Sequence, residues 1–196
     1  MKTGNNAVYT NQELIDGLES GDAGCATEFY RRYGNRVERL VRSLLGVDNA
    51  HDDVVQMVFL NILDSISSIR DASRLDYWLD SVTFRTVYKE LRSRKYRRQV
   101  VPSSDNLPDV MDRRNPEGSW VARQFYVALD KLKPEERMML VMKYFEHCTL
   151  LEMAKISGWS VATVKRRIQR AVAAFEKIAR EDTILASYVG ENHNVG

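Results

Sequence analysis

Residues 149–171, TLLEMAKISGWSVATVKRRIQRA, constrain what this chain can fold into more than any other stretch. They read as two short helices joined by a tight turn. Thr149 can cap the first helix while Glu152 reaches back to it, a reciprocal pairing that opens an apolar run. Leu150, Met153, Ala154 and Ile156 supply a buried face, and Ser157-Gly158-Trp159-Ser160 interrupts it. Gly158 suits the left-handed backbone that ends a helix, and Ser160 can cap the next one. There Val161, Val164, Ile168, Ala171 and Val172 recur at helical spacing and predict a core face. Thr163, Lys165, Arg166, Arg167, Gln169 and Arg170 fall on the other faces. A capped, polar helix start with a row of guanidinium groups fits the DNA major groove. There Arg pairs with guanine and phosphate contacts fix register. An ordinary helical hairpin with a solvated basic face has the same periodicity. The coincidence of turn, small residues and basic face favours the DNA-binding reading.

The rest of the 196-residue chain has room for one or two cores. Its net charge of +2 averages segments of opposite sign. Cys25 and Cys148 lie far apart. With His51, His147 and His193 they match neither a zinc-ligand spacing nor a disulfide framework, so no metal or cofactor is expected. No apolar run reaches the roughly 20 residues that cross a bilayer, and no secretory signal opens the chain. The expectation is a reduced, cytoplasmic protein without membrane insertion.

In chain order, Thr10 with Glu13 predicts another capped helix, with Leu14, Ile15 and Leu18 on one face. Gly21-Asp22 ends it and caps a second helix over residues 23–45. Its expected buried stripe is Ala26, Phe29, Tyr30, Tyr33, Val37, Leu40, Val41 and Leu44. A third helix, near residues 50–66, carries Val54, Val55, Val58, Phe59, Ile62, Leu63 and Ile66. Between Asn49 and Ile69 there are three acids (Asp52, Asp53, Asp64) and no Lys or Arg. An acidic first turn favours any helix start. With Gln56 beside it, the cation-free segment also suits protein docking, because it repels nucleic acid.

After a polar loop holding Arg70 and Arg74, a fourth helix is predicted from Tyr77 to about Arg98. It starts with aromatics (Tyr77, Trp78, then Phe84 and Tyr88) and ends with five cations in the seven residues 92–98. Rings to stack on bases, leading to charges for phosphates, suit single-stranded or partly melted nucleic acid. Trp78, Leu79, Val82 and Leu91 are expected to pack inward. Residues 99–118 hold Pro102, Ser103, Ser104, Pro108 and Pro116 and show no sustained period, as a linker does. Asn115-Pro116-Glu117 opens a further helix, and Pro134 the next, whose core face is Met138, Val141, Met142 and Phe145. No strand pattern occurs. The fold expected is all-α: two helical domains joined by a flexible linker, the C-terminal one containing the helix-turn-helix.

These motifs together resemble the extracytoplasmic-function (ECF) sigma factors of bacterial RNA polymerase, over about residues 14–178. Gly21-Asp22 with Phe29-Tyr30 and Tyr33 matches the family's opening helices. Residues 52–60, DDVVQMVFL, are similar to its polymerase clamp-binding segment. Trp78-Leu79, with the helix ending at Arg92, resembles the segment that recognises and melts the −10 element. Asn115-Pro116-Glu117 sits where the second domain usually begins. Leu129, Leu132, Pro134 and Arg137, then Glu152-Met153-Ala154 and Thr163-Val164-Lys165 with Arg167, Arg170 and Ala171, resemble the −35-binding domain. Arg85 stands where the family often has Asn, Lys89 near a frequent acid, and Ala162 where glycine or another small residue precedes the threonine. The first two make the −10 region more positive.

The resemblance implies a recruitment factor, not an enzyme. Residues 1–98 would be a polymerase-docking and −10 domain, 99–118 a linker, 119–184 the −35 domain and 185–196 a tail. It implies polymerase contacts at Asp52, Asp53, Val55, Gln56 and Phe59. It assigns −10 contacts to Arg70, Arg74, Tyr77, Trp78, Arg85, Tyr88, Lys89 and Arg92. The −35 contacts would be Ser160, Thr163, Lys165, Arg166, Arg167 and Arg170. Partners would be core RNA polymerase and promoter DNA, with an anti-sigma factor as a further partner common in the family. A DNA-binding regulator acting without polymerase, or a helical scaffold binding only protein, are the competing readings. The first leaves residues 52–60 and 78–92 unexplained, the second the basic face at 166–170.

Overall fold

The computed structural model describes residues 9–46, 50–100 and 116–187, without side chains at 98–100 and 116–121. Among them every regular element is helical. Helix α1 (Asn11–Ser20) is opened by Thr10 as expected: the Glu13 N–H donates to Thr10 Oγ1 at 3.2 Å, and the Thr10 N–H donates to Glu13 Oε2 at 2.7 Å. Gly21 closes it at φ 75°, and Asp22 caps α2 (Ala23–Leu45) by accepting from the Cys25 N–H at 2.7 Å. Helix α3 spans His51–Ser65 and α4 Leu75–Val100, joined by 3₁₀ turns at Ile66–Ser68 and Ala72–Arg74 where a plain loop was expected. Asp71 accepts from the Ser73 N–H and hydroxyl, which organises that turn.

The first core gathers Leu14, Phe29, Val37, Leu44, Val54, Val58, Ile62, Leu75, Leu79, Phe84 and Val87. Helix α4 lies across α2 and α3. Arg36 of α2 grips Asp80 of α4 through both carboxylate oxygens, at 2.8 and 2.7 Å. Asn61 of α3 donates to the Thr86 hydroxyl at 3.1 Å. Ser81 and Thr83 are buried on α4, and their hydroxyls donate back to Tyr77 O and Leu79 O, both at 2.9 Å. Buried hydroxyls are therefore satisfied within the helix.

The second half comprises α5 (Pro116–Lys131), α6 (Pro134–Leu140), α7 (Leu150–Ser157) and α8 (Val161–Arg180). A wider π turn, Val141–Phe145, carries the chain out of α6. Leu129, Leu132, Met139, Met142, Met153, Val164 and Ala171 are buried together. Of the linker expected at 99–118, its central part (101–115) lies outside the described residues. Its two ends are helical, closing α4 and opening α5.

Several burial expectations fail. In α2 it is Cys25 that packs inward, while Ala26 and Tyr30 are exposed. Leu63, Phe145 and Val161 are exposed as well, although the Phe145 ring touches Phe125 of α5 at 5.2 Å between centroids.

The two halves share one continuous core. Helix α4 packs on α6 and α7. Lys95 Nζ donates to Leu132 O at 3.1 Å, and Arg137 Nε donates to Leu44 O, near the end of α2, at 2.5 Å. A helix leaves its last carbonyls without intrahelical partners, and here a guanidinium from the other half supplies one donor. Gly46, at φ 71°, holds a conformation that favours glycine, and a Cβ there would lie 2.8 Å from the Tyr126 ring of α5.

Candidate nucleic-acid interface

The helix-turn-helix forms as its residues predict. Thr149 and Glu152 bond reciprocally, with the Thr149 N–H donating to Glu152 Oε2 at 2.7 Å, which holds that carboxyl below its usual pKa. Gly158 ends α7 at φ 73°. Ser160 caps α8: its Oγ accepts from the Thr163 N–H at 3.2 Å and lies 2.9 Å from Thr163 Oγ1. Val164 and Ala171 are fully buried, which fixes the rotation of α8. Lys165, Arg166, Gln169 and Arg170 are left exposed, and Thr163 is half-buried at the open end. Arg167 differs. It is half-buried, and its guanidinium carbon lies 3.9 Å from the centroid of the Trp159 ring.

The eight residues expected at the −10 element do not form one open face. Arg70, Arg74, Arg85, Lys89 and Arg92 are exposed, whereas Tyr77, Trp78 and Tyr88 are half-buried. Arg74 pairs with Asp71 at 3.3 Å. Trp78 Nε1 donates to Ser68 Oγ at 3.2 Å, tying α4 to the preceding turn. The Tyr77 hydroxyl lies 3.5 Å from Glu152 O of α7, and the Tyr88 ring meets Trp159 edge-on with centroids 6.5 Å apart. Arg92 sits over Tyr88 at 5.9 Å. Burial pushes both phenols up. Phe84, counted among the aromatic start of this helix, is wholly in the core. At its basic end Arg94 and Arg97 both reach Glu90, at 2.8 and 2.9 Å, so that acid offsets part of the charge.

On α3 the expected docking residues divide. Asp52, Asp53 and Gln56 are exposed, and Phe59 is partly covered. Val55, at 9% exposure, faces the core and is corrected to a supporting residue. Met57, Leu60 and Leu63 are the exposed apolar residues of this helix, and Tyr30 of α2 packs on Phe59 at 5.0 Å between centroids. Which apolar residues of α3 stay outside is not legible in the sequence. The sequence likewise marks Trp159 only as part of a turn.

Among the described residues no group of three or more His, Cys, Asp and Glu could hold a metal ion, and no helix is long and apolar enough to cross a membrane. Cys25 and Cys148 are free thiols.

Comparison with known proteins places these surfaces in a family. The sigma-70 region 2 model matches residues 29–97, which span α4 and the α3 surface, and the sigma-70 region 4 model matches 122–175, which include the helix-turn-helix. The chain is 30% identical over 133 residues to the ECF RNA polymerase sigma factor EcfG of Rhodopseudomonas palustris (strain TIE-1), covering 66% of this chain and 71% of EcfG. It is 24% identical over 181 residues to SigW of Bacillus subtilis (strain 168), covering 87% and 97%. Its fold is similar to that of the sigma factor RpoE from Bartonella quintana, solved with the anti-sigma factor NepR. The TM-score is 0.59 at 20% identity, over 79% of this chain and 98% of that one. With a groove-sized basic helix, an aromatic and basic α4 and an acidic α3 surface in the matched regions, the chain belongs to the ECF sigma factors, which direct promoter-specific initiation by RNA polymerase.

Proposed function

We propose that residues 1–98 dock on core polymerase and open the −10 element, 99–118 connect, 119–184 hold the −35 duplex, and 185–196 form a tail. On α3, Asp52, Asp53, Gln56 and Phe59 meet polymerase together with Met57, Leu60 and Leu63. Acidic rim charges there speed and orient association, while the apolar residues supply burial. On α8, Thr163, Lys165, Arg166, Arg167 and Arg170 face the groove and its phosphates, and Ser160 fixes where that helix begins. Tyr77, Trp78, Tyr88 and Arg92 stack on unpaired −10 bases and bind their phosphates, with Arg70, Arg74, Arg85 and Lys89 as the surrounding cations. Because Tyr77 and Tyr88 lie against α7 and Trp159, this capture needs α4 to part from the second half.

The protein acts by recruitment and not by catalysis, in the cytoplasm where polymerase and promoters meet. By analogy with RpoE, which was solved with NepR, an anti-sigma factor is a further partner.

The observation that carries this reading is the cationic face of α8 (Lys165, Arg166, Arg170), exposed directly opposite the buried Val164 and Ala171. Footprinting of polymerase with Arg166→Ala and Arg170→Ala tests it. A base-reading Arg costs roughly 1–3 kcal/mol at one promoter position, whereas a phosphate contact weakens all sequences alike. Protection identical to wild type on every promoter variant overturns the assignment.

A further inference from the structure

Trp159 is the half-buried ring at the turn between α7 and α8, set between Gly158 with its left-handed backbone and the Ser160 cap. Eight residues on, Arg167 lays its guanidinium over that ring at 3.9 Å. Its neighbours on the basic face, Lys165, Arg166 and Arg170, are exposed to solvent. Tryptophan is the strongest aromatic partner for a cation. A guanidinium held on a ring keeps its planar fork in a narrow range of orientations, so less freedom is lost when it makes two hydrogen bonds to one base. A phosphate contact needs charge at the right distance but little orientation; a bidentate contact to guanine needs both.

We propose that Trp159 is a positioning residue that pre-orients Arg167 as the base-discriminating cation of α8, leaving Lys165, Arg166 and Arg170 to phosphates and register. This deepens the reading of α8 as the −35 helix and rests on it. Both ends of the contact lie within the second half of the chain, so it persists when α4 moves away. The sharp turn serves it: Gly158 and the Ser160 cap set the indole beside the second turn of the helix it precedes, where the Arg167 side chain can fold back over it.

The test uses the full-length chain with core polymerase and a pool of duplexes randomised across the −35 element, with bound sequences counted. Trp159→Leu, Trp159→Phe, Arg167→Ala and the Leu/Ala double variant are compared. Trp159→Leu is expected to flatten preference about tenfold at one base position, the same one that Arg167→Ala flattens. Trp159→Phe, a weaker partner for a cation, loses part of that preference at the same position, and the double variant matches Arg167→Ala alone. The salt dependence of overall binding stays that of wild type in the Trp159 variants, since no phosphate contact is lost. Flattening at a different position, equal weakening at all positions, or additive losses in the double variant overturn the proposal. If Trp159→Leu melts early, Trp159→Phe decides: a ring that only fills space tolerates the change of cation affinity and loses no discrimination. Should Arg167→Ala leave every position unchanged, the reading of α8 itself is wrong, an outcome distinct from a failure confined to Trp159.

Discussion

The two helices proposed to meet DNA are built in opposite ways. Helix α8 is one-sided: Val164 and Ala171 are fully buried, and Lys165, Arg166 and Arg170 are exposed on the open edge. Helix α4 is enclosed on several sides. Leu75, Leu79, Ser81, Val82, Thr83, Phe84, Thr86 and Val87 are all buried, because α2 and α3 cover one flank and α6 and α7 another. Tyr77, Trp78, Phe84 and Tyr88 are therefore divided between the core and half-buried positions, while Arg85, Lys89, Arg92 and, near the helix end, Tyr96 stay open. A one-sided helix can read DNA as it stands. An enclosed helix must first lose a neighbour, so the proposed role of α4 would carry a conformational cost that α8 does not share.

The sharpest way to break this comparison is to truncate one residue on each helix. Phe84→Ala on α4 is expected to lower unfolding free energy by about 3–5 kcal/mol. Arg166→Ala on α8 is expected to change it by no more than about 0.5 kcal/mol. Denaturant titration of both variants measures this, and similar losses would mean the two helices are supported alike.

Next in size is the link between the halves. Arg137 is 3% exposed and bonds both Asp130 and Leu44 O, whereas Asp130 is 36% exposed. Arg137→Met removes the buried donor and strands the carbonyl, at a cost of about 1–3 kcal/mol in urea unfolding. Asp130→Asn should cost less, since water reaches that partner. An equal or larger loss for Asp130→Asn would place the energy in the ion pair and not in the contact across the halves.

A smaller effect sharpens the enclosure itself. Burial pushes the Cys148 thiol up to about 11, with the nearby Glu152 and, across the interface, Asp80 adding to the shift. Since the proton is bound more tightly in the folded state, any stability tied to it is present below the ordinary thiol value and is lost as pH rises toward 11. Only the thiolate alkylates, so the wild-type protein should react slowly near pH 8. Tyr126→Ala removes the ring seated on Gly46. It should let the halves part, move the midpoint of the alkylation profile down toward the ordinary value, and speed the reaction at fixed pH. An unchanged profile would show that α4 stays covered without Tyr126.

The least structural effect is expected on α3. Asp53→Arg should leave the unfolding midpoint in place yet slow association with core polymerase, by about tenfold at low salt and less as salt rises. Leu60→Asp should weaken the same complex with little salt dependence. Wild-type association in both variants would move the docking face elsewhere.

Much of this molecule is written locally. Thr10 with Glu13, Asp22, Thr149 with Glu152, and Ser160 are capping signals whose partners lie within three residues, and each is formed. Gly21 and Gly158 end helices in the left-handed backbone that glycine adopts without strain. Helix order, the all-α class and the basic face of α8 follow from such short-range rules, because backbone capping and 3.6-residue periodicity depend on neighbours along the chain. What periodicity leaves open is where a stripe's edge falls, and that depends on which other element comes to lie there. Cys25 is inside because α1 crosses α2 so closely that Gly17 leaves no room for a Cβ beside Cys25 Sγ, whereas Tyr30 stays outside. Val55 is covered and Leu60 is not, since the rest of the bundle packs on only one side of α3. Arg137 carries a charge that any sequence pattern would leave in water. It is buried because Leu44, 93 positions earlier, ends its helix with a carbonyl that needs a donor. The ring beneath Arg167 was likewise settled in three dimensions: a tight turn brings Trp159 beside a helix it does not belong to, and spacing along the chain carries no record of that contact.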